Sequence, residues 1–140
     1  GDMPPKLTKN YRPSEKEPFM NAKQREYFRQ RLLLWRGELL RETSQTLQNL
    51  QEDSLQAPDI ADRASAETDR AVELRTRDRE RKLVQKIDEA LVRIKDGSYG
   101  YCEETEEPIG LRRLEARPIA TLSLEAQERH ERREKIYRDE

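Results

Sequence analysis

The sequence holds a single cysteine, Cys102. No intrachain disulfide can form, and such cysteine usage suits a reducing cytoplasm. Charge of one sign is also missing: 28 Lys and Arg stand against 29 Asp and Glu, a net charge of -1 with His neutral. A protein that holds nucleic acid chiefly by electrostatics carries a basic excess, so direct sequence-specific DNA binding is not expected. No apolar run approaches the roughly 20 residues that span a bilayer. The start of the chain, Gly1 to Asn10, is polar and proline-containing and has no signal-peptide pattern. A soluble, cytoplasmic protein without membrane contact is expected. Apolar residues are scarce at 33%, aromatics reach only 6%, and charged residues make up 41%. That balance is thin for a thick globular core but common in long solvated helices and coiled coils. No phosphate-binding loop, catalytic triad or metal cluster is legible, so an enzyme acting alone is not expected.

What is present is organised by proline, glycine and helical periodicity. Residues 1–20 carry Pro4, Pro5, Pro13 and Pro18 among charges and read as a flexible N-terminal arm. Asn21 is a natural N-cap for a helix starting at Ala22. From there to about Leu55 apolar residues fall at Phe28, Leu32, Trp35, Leu39, Leu47 and Leu50, a stripe at spacings of three and four with gaps at Thr43 and Thr46. A helix over 22–55 would be about 50 Å long at ~1.5 Å per residue. Pro58 breaks the pattern, and a second helix is expected from about Ile60 to Lys95, with Val72, Leu83, Ile87, Leu91 and Ile94 on its stripe and Gly97 as its C-terminal cap. Two long helices joined by a short break form an antiparallel hairpin. The fold class is therefore mainly α: a helical hairpin or coiled coil over 21–97 with its tip at 56–64, a small turn-rich knot over 98–122, and a C-terminal helix over 123–140 capped by Ser123.

Three features carry chemical potential. The tip reads Asp59-Ile60-Ala61-Asp62-Arg63-Ala64. Residues three apart share a helix face, so Asp59 and Asp62 form a pair of carboxylates at an exposed end. On spacing alone the plainer reading is favoured: an N-cap and a residue that suits the positive end of the helix dipole. The second feature is a basic stretch in which Arg75, Arg79, Lys82 and Lys86 share one face, with Arg112, Arg113 and Arg117 later in the chain. It suits a polyphosphate or an acidic surface, although such runs are usually solvated faces. The third is Cys102 in Cys102-Glu103-Glu104-Thr105. One soft ligand does not make a zinc site, and neither a base nor a pKa-lowering environment that would activate the thiol is evident.

Taken together these residues are recognisable. The chain resembles the DksA/TraR family of RNA polymerase-binding transcription factors over about Phe19 to Ile136. The resemblance is carried by Phe19-Met20-Asn21, by the stretch from Tyr27-Phe28-Arg29 to Trp35-Arg36, by the tip Asp59-x-x-Asp62-Arg63-Ala64, and by Glu73-Leu74-Arg75 through Arg77-Asp78-Arg79-Glu80-Arg81-Lys82-Leu83. Tyr99-Gly100-Tyr101-Cys102 and Ile109-Gly110-Leu111-Arg112-Arg113-Leu114-Glu115-Ala116-Arg117-Pro118 extend it. The resemblance implies a monomer that enters the polymerase secondary channel, points its tip toward the active site and modulates open complexes together with the alarmone ppGpp. It implies active-site-facing roles for Asp59, Asp62 and Ala64, polymerase contact for Arg79, and ppGpp contact for Leu83, Lys86 and Arg117.

The chain departs from the family at two places. The four zinc-cysteine positions read Cys102, Thr105, Ser123 and Ala126, which resembles a cysteine-poor branch. No zinc is expected from this, with a degenerate zinc-finger-like knot held by Tyr99, Ile109, Leu111, Leu114, Leu122 and Leu124. Gln127 stands where a family lysine contacts ppGpp, and a neutral amide cannot make the same ionic contact. The rival readings are a transcript-cleavage factor, also a hairpin with an acidic tip, and a helical adaptor that dimerises through its hairpin.

Overall fold

The computed structural model describes residues 3–56 and 60–139, with side chains at 50, 51, 53–56, 60–63 and 139 left aside. Four helices follow in order: α1 (Ala22–Gln56), α2 (Ile60–Asp96), α3 (Leu111–Ala116) and α4 (Leu124–Asp139). Among the described residues the nearest thing to a strand is an isolated antiparallel bridge between Tyr101 and Pro108. No described helix is long and apolar enough to cross a membrane. The chain divides into two compact units, one of Gly1–Leu32 with Glu89–Glu140 and one of Leu33–Asp88.

The first unit owes its start to the entry into α1. Asn21 Oδ1 accepts the Gln24 N–H at 2.9 Å, satisfying one of the free donors at the helix start. Gln24 reaches back so that its Oε1 accepts the Met20 N–H at 2.8 Å, and its side-chain NH2 donates to the Ser14 carbonyl at 3.2 Å. This amide is fully buried yet satisfied, as a buried polar group must be. The arm expected to be flexible is therefore a run of turns fastened from residue 8 onward. Tyr11 donates to Glu17, Ser14 N–H donates to the same carboxylate, and Arg12 donates to the Tyr27 hydroxyl at 3.0 Å.

The core of this unit is built on Phe28, Leu32, Ala90, Ile94, Tyr99, Leu114 and Ile119, all buried. Phe28 meets Tyr27 edge-on at 5.1 Å and Tyr99 at a tilt at 5.7 Å. Such aromatic geometry adds to plain burial. Tyr99 keeps its hydroxyl satisfied by donating to the Pro118 carbonyl at 2.7 Å. Gly97 closes α2 at φ +89, with its N–H and that of Ser98 both returning to the Arg93 carbonyl. That left-handed step is what a C-terminal glycine cap provides. α3 lies inside the segment expected to be a turn-rich knot, beginning after Gly110 and burying Leu111 and Leu114. Of the residues expected to hold the knot, Leu124 is 58% exposed, and Ala126 is buried in its place.

The second unit pairs residues 33–56 of α1 with 60–88 of α2, and two ties fix them as antiparallel. Arg36 Nε donates to Asp88 at 2.7 Å, and Thr43 Oγ1 donates to Glu80 at 2.9 Å. Apolar burial lies at Leu39 and Ile87. Trp35, expected in the core, is half-buried. Further along, the seam turns polar: Thr43 and Glu80 meet there, and Glu73 Oε2 is buried with no hydrogen-bond partner among the described residues.

Candidate functional site

Asp59 lies outside the described residues, and so does the side chain of Asp62, whose backbone is the third residue of α2. Ala64, one turn into the helix, is exposed. The first-turn N–H groups of a helix have no intrahelical partners, and the dipole favours negative charge there. A carboxylate at position 62 therefore suits the helix whatever else it does.

The basic strip is laid out by α2 itself. Arg75, Arg79, Lys82 and Lys86 are all exposed. Arg79, Leu83 and Lys86 follow one another at steps of four and three, so they occupy one stripe of the helix. Leu83 is half-buried. Lys82 sits 3.3 Å from Asp78, and Arg81 donates to the same carboxylate at 2.8 Å. Lys82 first and Arg81 second hold the Asp78 carboxyl below its usual range.

Arg117 belongs to the other unit and is exposed at the C-terminal end of α3. Two residues before it, Glu115 is the centre of a network with no local signal in the sequence. Arg31 Nη1 donates to Glu115 at both Oε2 (2.7 Å) and the main-chain carbonyl (3.1 Å), and the Tyr27 hydroxyl donates to Glu115 Oε2 at 3.1 Å. The Arg31 guanidinium also lies over the Tyr27 ring at 5.8 Å, within cation–π range. Partners more than eighty residues apart leave no periodic signal. Arg113, grouped with the basic residues from sequence, is instead structural: its Nε donates to the Leu122 carbonyl at 2.9 Å. Arg112 and Arg117 remain on the surface.

The segment after α2 folds around Cys102, which is buried. Burial raises its pKa, but hydrogen bonds from the Thr105 hydroxyl and from the backbone amides of Ser123, Thr105 and Glu104 outweigh this and bring the thiol down to about 6. α4 is pinned nearby. Ser123 Oγ caps it by accepting the Ala126 N–H at 3.2 Å, and Glu104 contacts His130 and lies 3.6 Å from Arg129. The His130 hydrogen bond, then the charges of His130, Arg129 and Arg133, hold the Glu104 carboxyl below its usual value of 4.5. A carboxyl whose pKa falls on folding contributes stability that is present above about 4.5 and fades as the pH drops through the lowered value. Glu104→Gln is expected to speed amide exchange across residues 124–133 near neutral pH, and the difference from wild type should vanish in acid.

Two family models cover most of the chain. Residues 24–94 match the N-terminal domain of DnaK suppressor protein DksA, and residues 97–132 match the prokaryotic DksA/TraR C4-type zinc finger. The chain belongs to the DksA/TraR family. It is 67% identical over 131 residues to the RNA polymerase-binding transcription factor DksA of Caulobacter vibrioides (strain NA1000 / CB15N), covering 94% of this chain and 92% of that protein. The protein of the same name from Escherichia coli (strain K12) is 42% identical over 125 residues, 89% of this chain and 83% of the other. The solved structure of transcription factor DksA2 from Pseudomonas aeruginosa superposes with a TM-score of 0.78 at 48% identity, covering 84% of this chain and 90% of that one. The mainly helical DksA fold expected from the residues is thus the fold observed.

Family membership corrects the expectation that zinc has no place here. The model that matches residues 97–132 is a C4-type zinc finger, which points to zinc binding. The donors at the four DksA zinc positions do not make up a C4 set. Cys102 is the one thiol, the Thr105 and Ser123 hydroxyls accept the Glu107 and Ala126 N–H groups, and Ala126 has no donor atom. Among the described residues no group of three or more His, Cys, Asp or Glu is placed to hold a metal ion.

Proposed function

We propose that this chain regulates transcription by binding RNA polymerase in its secondary channel. The observation that carries this reading is the kinship with proteins named RNA polymerase-binding transcription factor DksA, at 67% and 42% identity over most of their length. In this reading the hairpin delivers Asp59 and Asp62, with Ala64 beside them, toward the polymerase active site, where the carboxylates contact mobile elements of the enzyme. Arg79 grips the polymerase from the exposed basic strip. Leu83, Lys86 and Arg117 contact ppGpp at the junction with the polymerase, with Gln127 adding a hydrogen bond but no charge. The chain works in the cytoplasm as a monomer, reads no DNA sequence itself, and acts by binding without turnover.

The energetics of such a factor are those of population shift. A bound protein changes the lifetime of a promoter complex only by the difference in its affinity for the open complex and for the states that flank it. A tenfold change needs about 1.4 kcal/mol of that difference, which one or two charge-assisted hydrogen bonds at the tip can supply. Promoter-specific transcription in vitro, with and without ppGpp, tests partner, activity and effector together. The expected result is reduced output from a ribosomal RNA promoter that deepens when ppGpp is added. An unchanged output under both conditions would overturn the reading.

A further inference from the structure

α2 carries a second cationic face that the basic strip does not include. Leu74, Arg77, Asp78 and Arg81 stand at steps of three, one and three and line an open cleft of about 240 Å³. At about 100° per residue, Arg77 and Arg81 each lie roughly 160° around the helix from Arg79. Lys82 of the Arg75–Arg79–Lys82–Lys86 strip reaches the edge of the cleft through Asp78, but a partner seated on Arg79 leaves the Arg77 and Arg81 guanidinium groups to a different element.

The lining gives the cleft a definite chemistry. Asp78 is already engaged by Arg81 at 2.8 Å and by Lys82 at 3.3 Å. Arg77 is half-buried and makes no ion pair among the described residues. Two guanidinium groups against one shared carboxylate leave the cleft net positive. Leu74 adds an apolar wall that is 43% exposed. A guanidinium without a partner suits a carboxylate held by two parallel hydrogen bonds. The volume is below the roughly 300–1,000 Å³ of small-molecule sites, so it accommodates side chains and not a nucleotide.

We infer that this cleft seats an acidic segment of RNA polymerase, with a carboxylate on Arg77 and Arg81 and a neighbouring apolar side chain against Leu74. The inference rests on the polymerase reading and adds to it a second contact face on the hairpin. The occupant is a protein segment because its two halves, a carboxylate and an apolar group a few ångströms apart, are what an Asp- or Glu-containing peptide offers. A phosphate backbone offers the charge without the apolar half.

The test uses the full chain and the cognate polymerase core enzyme. Binding is measured for wild type, for Arg77→Ala with Arg81→Ala, for Arg77→Glu, and for Arg79→Ala as a reference on the other face. The double alanine variant is expected to bind roughly tenfold more weakly, with Arg77→Glu weaker still and the salt dependence flatter. Wild type and the two alanine variants should melt together, since alanine suits a helix and the exposed Arg81–Asp78 pair contributes little. Replacing Leu74 with a photocrosslinking phenylalanine should mark an Asp- or Glu-rich polymerase segment. Binding of the double variant within about twofold of wild type, while Arg79→Ala weakens it, would overturn the inference and leave the polymerase reading standing. A crosslink to nucleic acid, or to a segment lacking carboxylates, would overturn it as well. Failure of the wild-type chain to bind would remove the polymerase reading and this inference together.

Discussion

Exchanging Asp62 for Asn is expected to abolish the effect on a ribosomal RNA promoter while polymerase affinity stays within about twofold of wild type. Asn keeps the size of the side chain and much of its hydrogen bonding but removes the charge. Position 62 is the third residue of α2, so the exchange also forfeits a favourable interaction with the helix dipole, typically about 0.3–1 kcal/mol. That is too small to unfold a long helix and too local to disturb Arg79, more than four turns away. Affinity and activity should therefore separate. In the proposed reading affinity is set by the grip along the hairpin, and activity by a contact that differs between promoter states. The two quantities to compare are the dissociation constant for core enzyme and the half-life of the open complex. Full inhibition by Asp62→Asn would remove the tip from the mechanism.

The second large effect concerns stability. Phe28→Ala is expected to destabilise the unit of residues 1–32 and 89–140 by about 3–5 kcal/mol, the usual cost of emptying a fully buried aromatic site. Phe28 has no exposed surface and packs on both Tyr27 and Tyr99, so neither neighbour can collapse into the space without giving up its own contacts. Domains are stable by only about 5–15 kcal/mol in total. The variant should show a much lower urea midpoint and a weakened near-ultraviolet signal from the tyrosines. Leu34→Ala makes the contrast on the same helix. Leu34 is 64% exposed, and such surface exchanges usually stay within about 0.5 kcal/mol. Equal losses from the two substitutions would mean that Phe28 is not the centre of this core.

What could be read from sequence was what local rules govern. Asn21, Gly97 and Ser123 marked the ends of α1, α2 and α4 because caps act on neighbours three or four residues away. The expected starts of α1 and α4 and the expected end of α2 fell within one residue of those observed, which is as close as helix ends are defined. Phe28, Leu32, Leu39, Ile87 and Ile94 announced themselves by helical spacing. α3 was hidden because six residues give too short a period to register beside Gly110 and Pro118. The arm looked disordered because its order depends on Gln24, Tyr27 and their distant partners, and composition carries no trace of such bonds. Arg113 looked like a surface cation because nothing local signals that its guanidinium meets the Leu122 carbonyl. The role proposed for the tip rests on kinship alone: spacing could not tell a cap from a working pair.

The two ties across the hairpin constrain how it can change in length. Arg36–Asp88 and Thr43–Glu80 lie seven residues apart on α1 and eight on α2. An insertion in one arm alone would rotate every later residue of that arm away from its opposite number and break whichever tie lay beyond it. Matched insertions of seven residues, placed opposite each other, would keep both ties and carry the tip about 10 Å farther at ~1.5 Å per residue. The reach of the hairpin can therefore be lengthened or shortened only in paired steps. A single-residue deletion in either arm should be far more damaging than the loss of a whole heptad from both.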